Sequence, residues 1–126
     1  MKLILLVEDN ESIVFNVQMM LEFNGFEVMV ALNGKEALNL MKKAECLPDL
    51  ILSDIMMPEM DGWEFHESLQ GFPAFKKIPF VFFSARSDPE EVKRGLELGA
   101  DDYITKPFTE EELIERINQK LAEARN

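Results

Sequence analysis

The spacing of apolar positions changes repeatedly along this chain. Short runs rich in β-formers occur at Leu3–Val7, Phe26–Ala31, Leu50–Ser53, Phe80–Phe83 and, more weakly, Asp102–Thr105. Most are apolar at successive positions, the pattern of strands covered on both faces. Helical spacing lies between them. Ile13, Val14, Val17, Met20 and Leu21 fall on one helix face. Ala37, Leu38 and Met41 mark a second helix, with Asn33 and Glu36 as its starting signal. A third is expected from about Asp61 to Leu69. The fourth opens at Ser87-Asp88-Pro89-Glu90, where a capping hydroxyl precedes a first-turn proline and an acid. The fifth opens at Thr109-Glu110-Glu111-Glu112 and buries Leu113, Ile117 and Leu121, with Ala124 as a further candidate. Phe72, Pro73 and Phe75 read as an apolar packing cluster in the loop before the fourth strand.

A strand followed by a helix, five times over, implies an α/β fold with a parallel sheet, helices on both faces and right-handed crossovers. Of the two common doubly wound arrangements, the flavodoxin-like order 2-1-3-4-5 suits five strands. The length, 126 residues, fits one domain spanning residues 1–126. No apolar run reaches the roughly 20 residues that cross a bilayer. The apolar start at Met1–Val7 stops at Glu8-Asp9 and reads as a buried strand rather than a signal peptide.

Charge narrows the function classes. The chain carries 13 basic and 24 acidic residues, a formal charge of −11. Such a surface repels phosphate backbones, so direct nucleic-acid binding by this domain is not expected. It suits a cation or a basic partner. One cysteine, Cys46, offers neither an internal disulfide nor a zinc site and fits a reducing, cytoplasmic setting.

Ligands of open α/β sheets bind beyond the carboxyl ends of the strands. Strand 1 is followed by Glu8 and Asp9, strand 3 by Asp54, strand 4 by Ser84 and strand 5 by Lys106. In the expected order these four strands are neighbours, and strand 2, which ends in Leu32-Asn33-Gly34, lies at the edge. Three carboxylates in one crevice repel each other; at ~4 Å one such pair costs about 4 kcal/mol at an effective dielectric near 20. Lys106 supplies one compensating charge, and a hard cation such as Mg²⁺ would supply two. No His or Cys lies near these strand ends, which disfavours zinc. Taken singly, each residue has a plainer reading: helix-opening acids, a turn aspartate, a capping serine, a loop lysine. Their arrival together at four adjacent strand ends is what points to a site.

The whole chain resembles the receiver domain of two-component response regulators, including the stand-alone chemotaxis type. The resemblance is carried by Val7-Glu8-Asp9, by Asp54-Ile55-Met56-Met57-Pro58-Glu59-Met60-Asp61-Gly62, by Phe83-Ser84-Ala85, and by Gly99-Ala100-Asp101-Asp102-Tyr103-Ile104-Thr105-Lys106-Pro107-Phe108. The second and fourth blocks are highly specific. The resemblance implies that Asp54 accepts a phosphoryl group from a sensor histidine kinase or phosphotransfer protein. It implies that Glu8, Asp9, Asp54 and the Met56 backbone carbonyl hold Mg²⁺ or Mn²⁺. Lys106 would contact the phosphoryl oxygens and Ser84 would donate its hydroxyl. Ser84 and Tyr103 would form the switch, and Lys106-Pro107 a cis peptide. A downstream effector would then bind the face made by the fourth helix, fifth strand and fifth helix. The expected state is a monomer or a weak, phosphorylation-dependent dimer.

Several features depart from this pattern or stand beside it. Ser84 stands where many relatives carry Thr, which loosens its expected coupling to Tyr103. Met56 and Arg86 are expected to border the site mouth. Trp63 is expected to pack or cap the loop on the site side. His66, the one histidine, reads as an exposed helical residue. An aspartate-dependent phosphatase of the haloacid dehalogenase type would need a second Asp where Met56 stands. A flavin-binding carrier would need a Ser/Thr/Gly-rich loop where Glu8-Asp9-Asn10-Glu11 stands. A receiver-like scaffold that never takes phosphate is disfavoured by the complete residue set. The pattern suits either a free-standing regulator or a receiver joined to an output domain.

Overall fold

A computed structural model of the protein describes residues 1–85 and 89–124. The elements run β1 (Leu3–Val7), α1 (Glu11–Phe23), β2 (Glu27–Ala31), α2 (Gly34–Lys43), β3 (Leu50–Ser53), α3 (Gly62–Leu69), α4 (Pro73–Lys76), β4 (Phe80–Ser84), α5 (Pro89–Glu97), β5 (Asp102–Thr105) and α6 (Glu110–Ala124). The five strands form one parallel sheet in the order β2-β1-β3-β4-β5. This is the doubly wound arrangement expected from the alternation of strand and helix patterns.

Strand periodicity divides the core in two. Leu5, Val7, Ile51, Phe80, Phe82 and Tyr103 pack on one face with Ala37 and Met41 of α2 and with Phe65 and Leu69 of α3. Ile4, Leu6, Leu50, Leu52, Val81, Phe83 and Ile104 pack on the other with Val17 and Leu21 of α1 and with Leu113, Ile117 and Leu121 of α6. Successive side chains of a strand point to opposite faces, so a strand covered on both sides must be apolar throughout.

The helix starts follow local chemistry. The Asn33 side chain accepts a hydrogen bond from the Glu36 N–H at 2.9 Å, and Thr109 Oγ1 accepts one from Glu112 N–H at 3.1 Å. Asp61 and Glu64 form a reciprocal capping box at the start of α3. At the end of α1, Gly25 takes φ 88° and Phe26 N–H donates to the Leu21 carbonyl at 3.1 Å. That closure uses the conformational freedom of glycine and delays β2 to Glu27, so Phe26 is buried but lies outside the strand.

Three expectations are corrected. The segment before β4 is not all loop: Pro73–Lys76 makes one helical turn and Phe75 is buried. Ala124 is exposed, because the buried stripe of α6 ends at Leu121. His66 is buried, not exposed. The inward stripe of α3 is Gly62, Phe65, His66 and Leu69, and the His66 ring stands edge-on to Phe80 at 4.8 Å. Burial holds the imidazole below its ordinary 6.5, opposed by the Asp101 charge and a Gly99 backbone hydrogen bond. The expected Ser87-Asp88 helix start and the Arg86 position lie outside the described residues.

Candidate functional site: a carboxylate cluster at the strand ends

Glu8, Asp54 and Lys106 are each placed by a backbone hydrogen bond just past a strand end. Asp54 N–H donates to the Val7 carbonyl at 2.9 Å, Glu8 N–H to the Ala31 carbonyl at 3.0 Å and Lys106 N–H to the Ser84 carbonyl at 2.7 Å. The ladder thus carries on one residue past β1, β3 and β5. It ties the backbone of Glu8, Asp54 and Lys106 to the neighbouring strands.

The side chains converge. One carboxylate oxygen from each of Glu8, Asp9 and Asp54 lies within 4.8 Å of the other two. Lys106 Nζ sits 2.9 Å from Glu8 Oε1 and 3.6 Å from Asp54 Oδ2. The same ammonium lies 4.5 Å from the centre of the Phe83 ring, a favourable seat for a cation. Asp54 Oδ1 accepts from the Ile55 N–H at 2.7 Å, and Glu8 Oε2 from the Asn10 N–H at 3.1 Å. Glu8 is 1% exposed and Asp54 8%, whereas Asp9 is open to solvent.

One lysine therefore serves two buried carboxylates. Burial pushes the Glu8 carboxyl up from 4.5 to about 7; the Lys106 hydrogen bond lowers it and the Asp54 charge raises it again. Even with Lys106 at 2.9 Å, Glu8 is divided between its two forms near neutral pH. The folded chain holds this proton more tightly than the unfolded chain. Its contribution to stability is therefore full at low pH, declines as pH rises from 4.5 to about 7, and is flat above.

The donor set fits a divalent cation. All three side chains offer oxygen, the ligand of hard ions, and the crevice carries one positive charge against three potential negative ones. With Glu8 as one of its ligands, a cation would draw on the ionised form of that carboxyl. The apparent Mg²⁺ affinity should therefore rise with pH up to about 7 and then level off. Below that pH, binding should release a proton, read by calorimetry in two buffers of different ionisation enthalpy. A flat affinity between pH 5.5 and 8 would remove Glu8 from the ligand set.

The structure brings Glu8, Asp9, Asp54 and Lys106 together. Ser84 is buried at the end of β4, next to β5 through its pairing with Thr105. The Met56 side chain is 57% exposed in the loop after Asp54. Tyr103 is 5% exposed, its ring 6.2 Å from Phe82 on the α3 side of the sheet. The Lys106–Pro107 peptide is cis.

Residues 4–118 match the family model described as the response regulator receiver domain. The chain belongs to that family. It is 44% identical over 121 residues to the alkaline phosphatase synthesis transcriptional regulatory protein PhoP of Bacillus subtilis, covering 95% of this chain and 48% of PhoP. The chain thus spans about half the length of the curated relatives it matches. Among solved structures, a putative response regulator from Chloroflexus aurantiacus superposes with a TM-score of 0.90 at 32% identity, covering 96% of this chain and 98% of that one. The receiver domain of the sensor histidine kinase PA1611 from Pseudomonas aeruginosa, at 26% identity and a TM-score of 0.87, covers 96% and 98%. It carries a magnesium ion in its active site cleft. The chain is thus a regulatory domain of the kind used in phosphorylation-dependent signalling.

One surface escaped the sequence reading. Phe15, Met19 and Phe23 form a second stripe on α1, opposite its buried face, and are 64%, 54% and 84% exposed. Their four-residue spacing was legible, but the stripe facing the sheet accounted for the helix by itself. Among the described residues no helix is long and apolar enough to cross a membrane.

Proposed function

We propose that residues 1–126 form a single receiver domain that takes a phosphoryl group on Asp54. The donor is a phosphohistidine on a sensor histidine kinase or phosphotransfer protein. The observation that carries this reading is the meeting of three carboxylates with one ammonium at the strand ends. Asp54 Oδ2 is the nucleophile, since Oδ1 is committed to the Ile55 N–H. It attacks phosphorus in line as the bond to the histidine nitrogen breaks. Lys106 lies within reach of the equatorial oxygens, and Ser84 donates its hydroxyl to the product. Glu8, Asp9, Asp54 and the Met56 carbonyl hold Mg²⁺ or Mn²⁺, which supplies charge neutralisation and alignment of donor and acceptor when bound. The relative that carries magnesium in its cleft supports that choice.

Water later attacks the acyl phosphate and resets Asp54. The domain therefore catalyses only its own phosphorylation and dephosphorylation, in the cytoplasm. Phosphate shifts the population of a second state through Ser84 and Tyr103 and alters the face formed by α5, β5 and α6 for a downstream effector. Neither nucleic acid nor membrane is bound by this domain directly.

The test is intact mass after incubation with acetyl phosphate. A gain of one phosphate with Mg²⁺ and none with a chelator is expected. No gain, or rapid turnover of many phosphoesters, would overturn the reading.

The α1 ridge gives the donor a place to rest. Its helix begins directly after the Asp9-Asn10 step, so a partner lying on Phe15 and Met19 would rest on the element that leaves the carboxylate cluster. Phe15→Ala combined with Met19→Ala should slow transfer from a phosphohistidine protein about tenfold or more, since buried anchors each contribute above about 1 kcal/mol. The rate with acetyl phosphate should not change. Equal slowing with both donors would place these residues outside the docking surface.

A further inference from the structure

The Ser84–Tyr103 route leaves the partly buried ring of Trp63 unused. Trp63, the one tryptophan, opens α3 directly after Gly62. Its ring lies 4.8 Å from Phe82, and the Arg94 guanidinium of α5 lies over it at 5.1 Å. Gly95 fits among three rings. A methyl group there would stand 3.1 Å from Tyr103 Cδ2, 3.3 Å from Trp63 Cζ3 and 3.4 Å from Phe82 Cδ2. The backbone of α5 therefore rests on rings from α3, β4 and β5 at one point.

The other end of this cluster is pressed against the acceptor. Gly62 N–H donates to the Ile55 carbonyl at 2.7 Å. A Cβ on Gly62 would fall 2.3 Å from the Asp54 carbonyl oxygen and 2.8 Å from Ile55 Cα. The Asp54–Ile55 backbone is thus in direct contact with the residue that carries Trp63 into the α5 interface. Close-packed interiors pass on small displacements rather than absorbing them.

We propose that Trp63 is a positioning residue of the switch: it links the Asp54–Ile55 backbone, through Gly62, to α5 at Arg94 and Gly95, by a route that does not use the Ser84 hydroxyl. The proposal rests on Asp54 being the phosphoacceptor. Its content is a coupling between two sites. Charge added at Asp54 shifts the start of α3, and the Trp63 ring passes that shift to α5 and to the exposed Arg94 beside it. The rings of Trp63, Phe82 and Tyr103 also meet at Gly95, so this route and the Ser84–Tyr103 route act on the same turn of α5.

The test is amide hydrogen exchange of α5 and β5 with and without acetyl phosphate and Mg²⁺, with intact mass read on the same samples. Wild type, Trp63→Leu, Trp63→Phe, Ser84→Ala and the Trp63→Leu/Ser84→Ala double variant are compared. Trp63→Leu should cut the phosphate-dependent change in α5 exchange by at least half at equal phosphate incorporation. Trp63→Phe, which keeps a ring, should recover most of it. Ser84→Ala should keep part of the change, and the double variant should lose it. A merely structural role would alter exchange equally in both forms and leave their difference intact. The proposal fails if Trp63→Leu retains the wild-type difference, if Ser84→Ala alone removes it at equal phosphate incorporation, or if phosphorylated wild type shows no change in α5. A wild type that gains no phosphate by mass would instead sink the phosphoacceptor reading beneath it.

Discussion

Asp54→Asn is expected to abolish phosphate uptake and at the same time to leave the folded protein more stable. The first effect follows from chemistry. An amide oxygen is not a nucleophile towards phosphorus, and neither Glu8 nor Asp9 takes the place of Asp54: Glu8 is tied to Lys106 and the Asn10 N–H, and Asp9 lies open to solvent. The second follows from electrostatics. Asparagine keeps the short bond from the Ile55 N–H, because its carbonyl oxygen occupies the place of Oδ1. It loses the weaker Lys106 contact at 3.6 Å and frees that lysine for Glu8 at 2.9 Å. It also removes the charge that helps push the Glu8 carboxyl upwards. The balance is a gain of about 1 kcal/mol, a rise of several degrees in Tm for a domain of this size. The two readouts are intact mass with acetyl phosphate and thermal unfolding in chelator. A phosphate gain that survives the substitution, or a lowered Tm, would contradict the assignment.

Gly62→Ala should be the most damaging glycine-to-alanine change. The added carbon would lie 2.3 Å from a backbone oxygen and 2.8 Å from a backbone carbon. Neither neighbour is the end of a flexible side chain, so relief requires moving the Asp54–Ile55 segment or the start of α3. The first is held to Val7 by a 2.9 Å hydrogen bond and the second by the Asp61–Glu64 capping box. Overpacking against such fixed neighbours costs about 3 kcal/mol or more. Urea unfolding should show a lowered midpoint at unchanged slope, and the molecules that remain folded should take phosphate more slowly. A loss below about 1 kcal/mol would mean that the loop yields more easily than its hydrogen bonds imply.

The sheet and its order were legible because a strand buried on both faces has no room for polar residues. Ile4 to Val7, Leu50 to Leu52 and Phe80 to Phe83 advertise that state directly. The carboxylate cluster was legible for a related reason. Each of its members lies within two residues of the end of such a run, so strand order brings them to one crevice. Other features depend on distances that spacing does not encode. The single turn at Pro73–Lys76 is too short to set up a period and lacks a capping side chain. His66 was misplaced because its polarity outweighed its position, although its spacing from Gly62, Phe65 and Leu69 puts it on the inward stripe. The preference of Lys106 for Glu8 over Asp54 and the meeting of three rings at Gly95 come from strands and helices far apart in sequence.

Because the ladder runs on through Glu8, Asp54 and Lys106, the groups of the candidate site are anchored to the sheet, while the surfaces open to partners lie on the helices around it. Substitutions on the outward side of α1 touch none of the groups that position the crevice. A common chemical centre can therefore stay constant as recognition is rewritten around it, and partner choice in a molecule built this way is free to diverge without the reaction having to be reinvented.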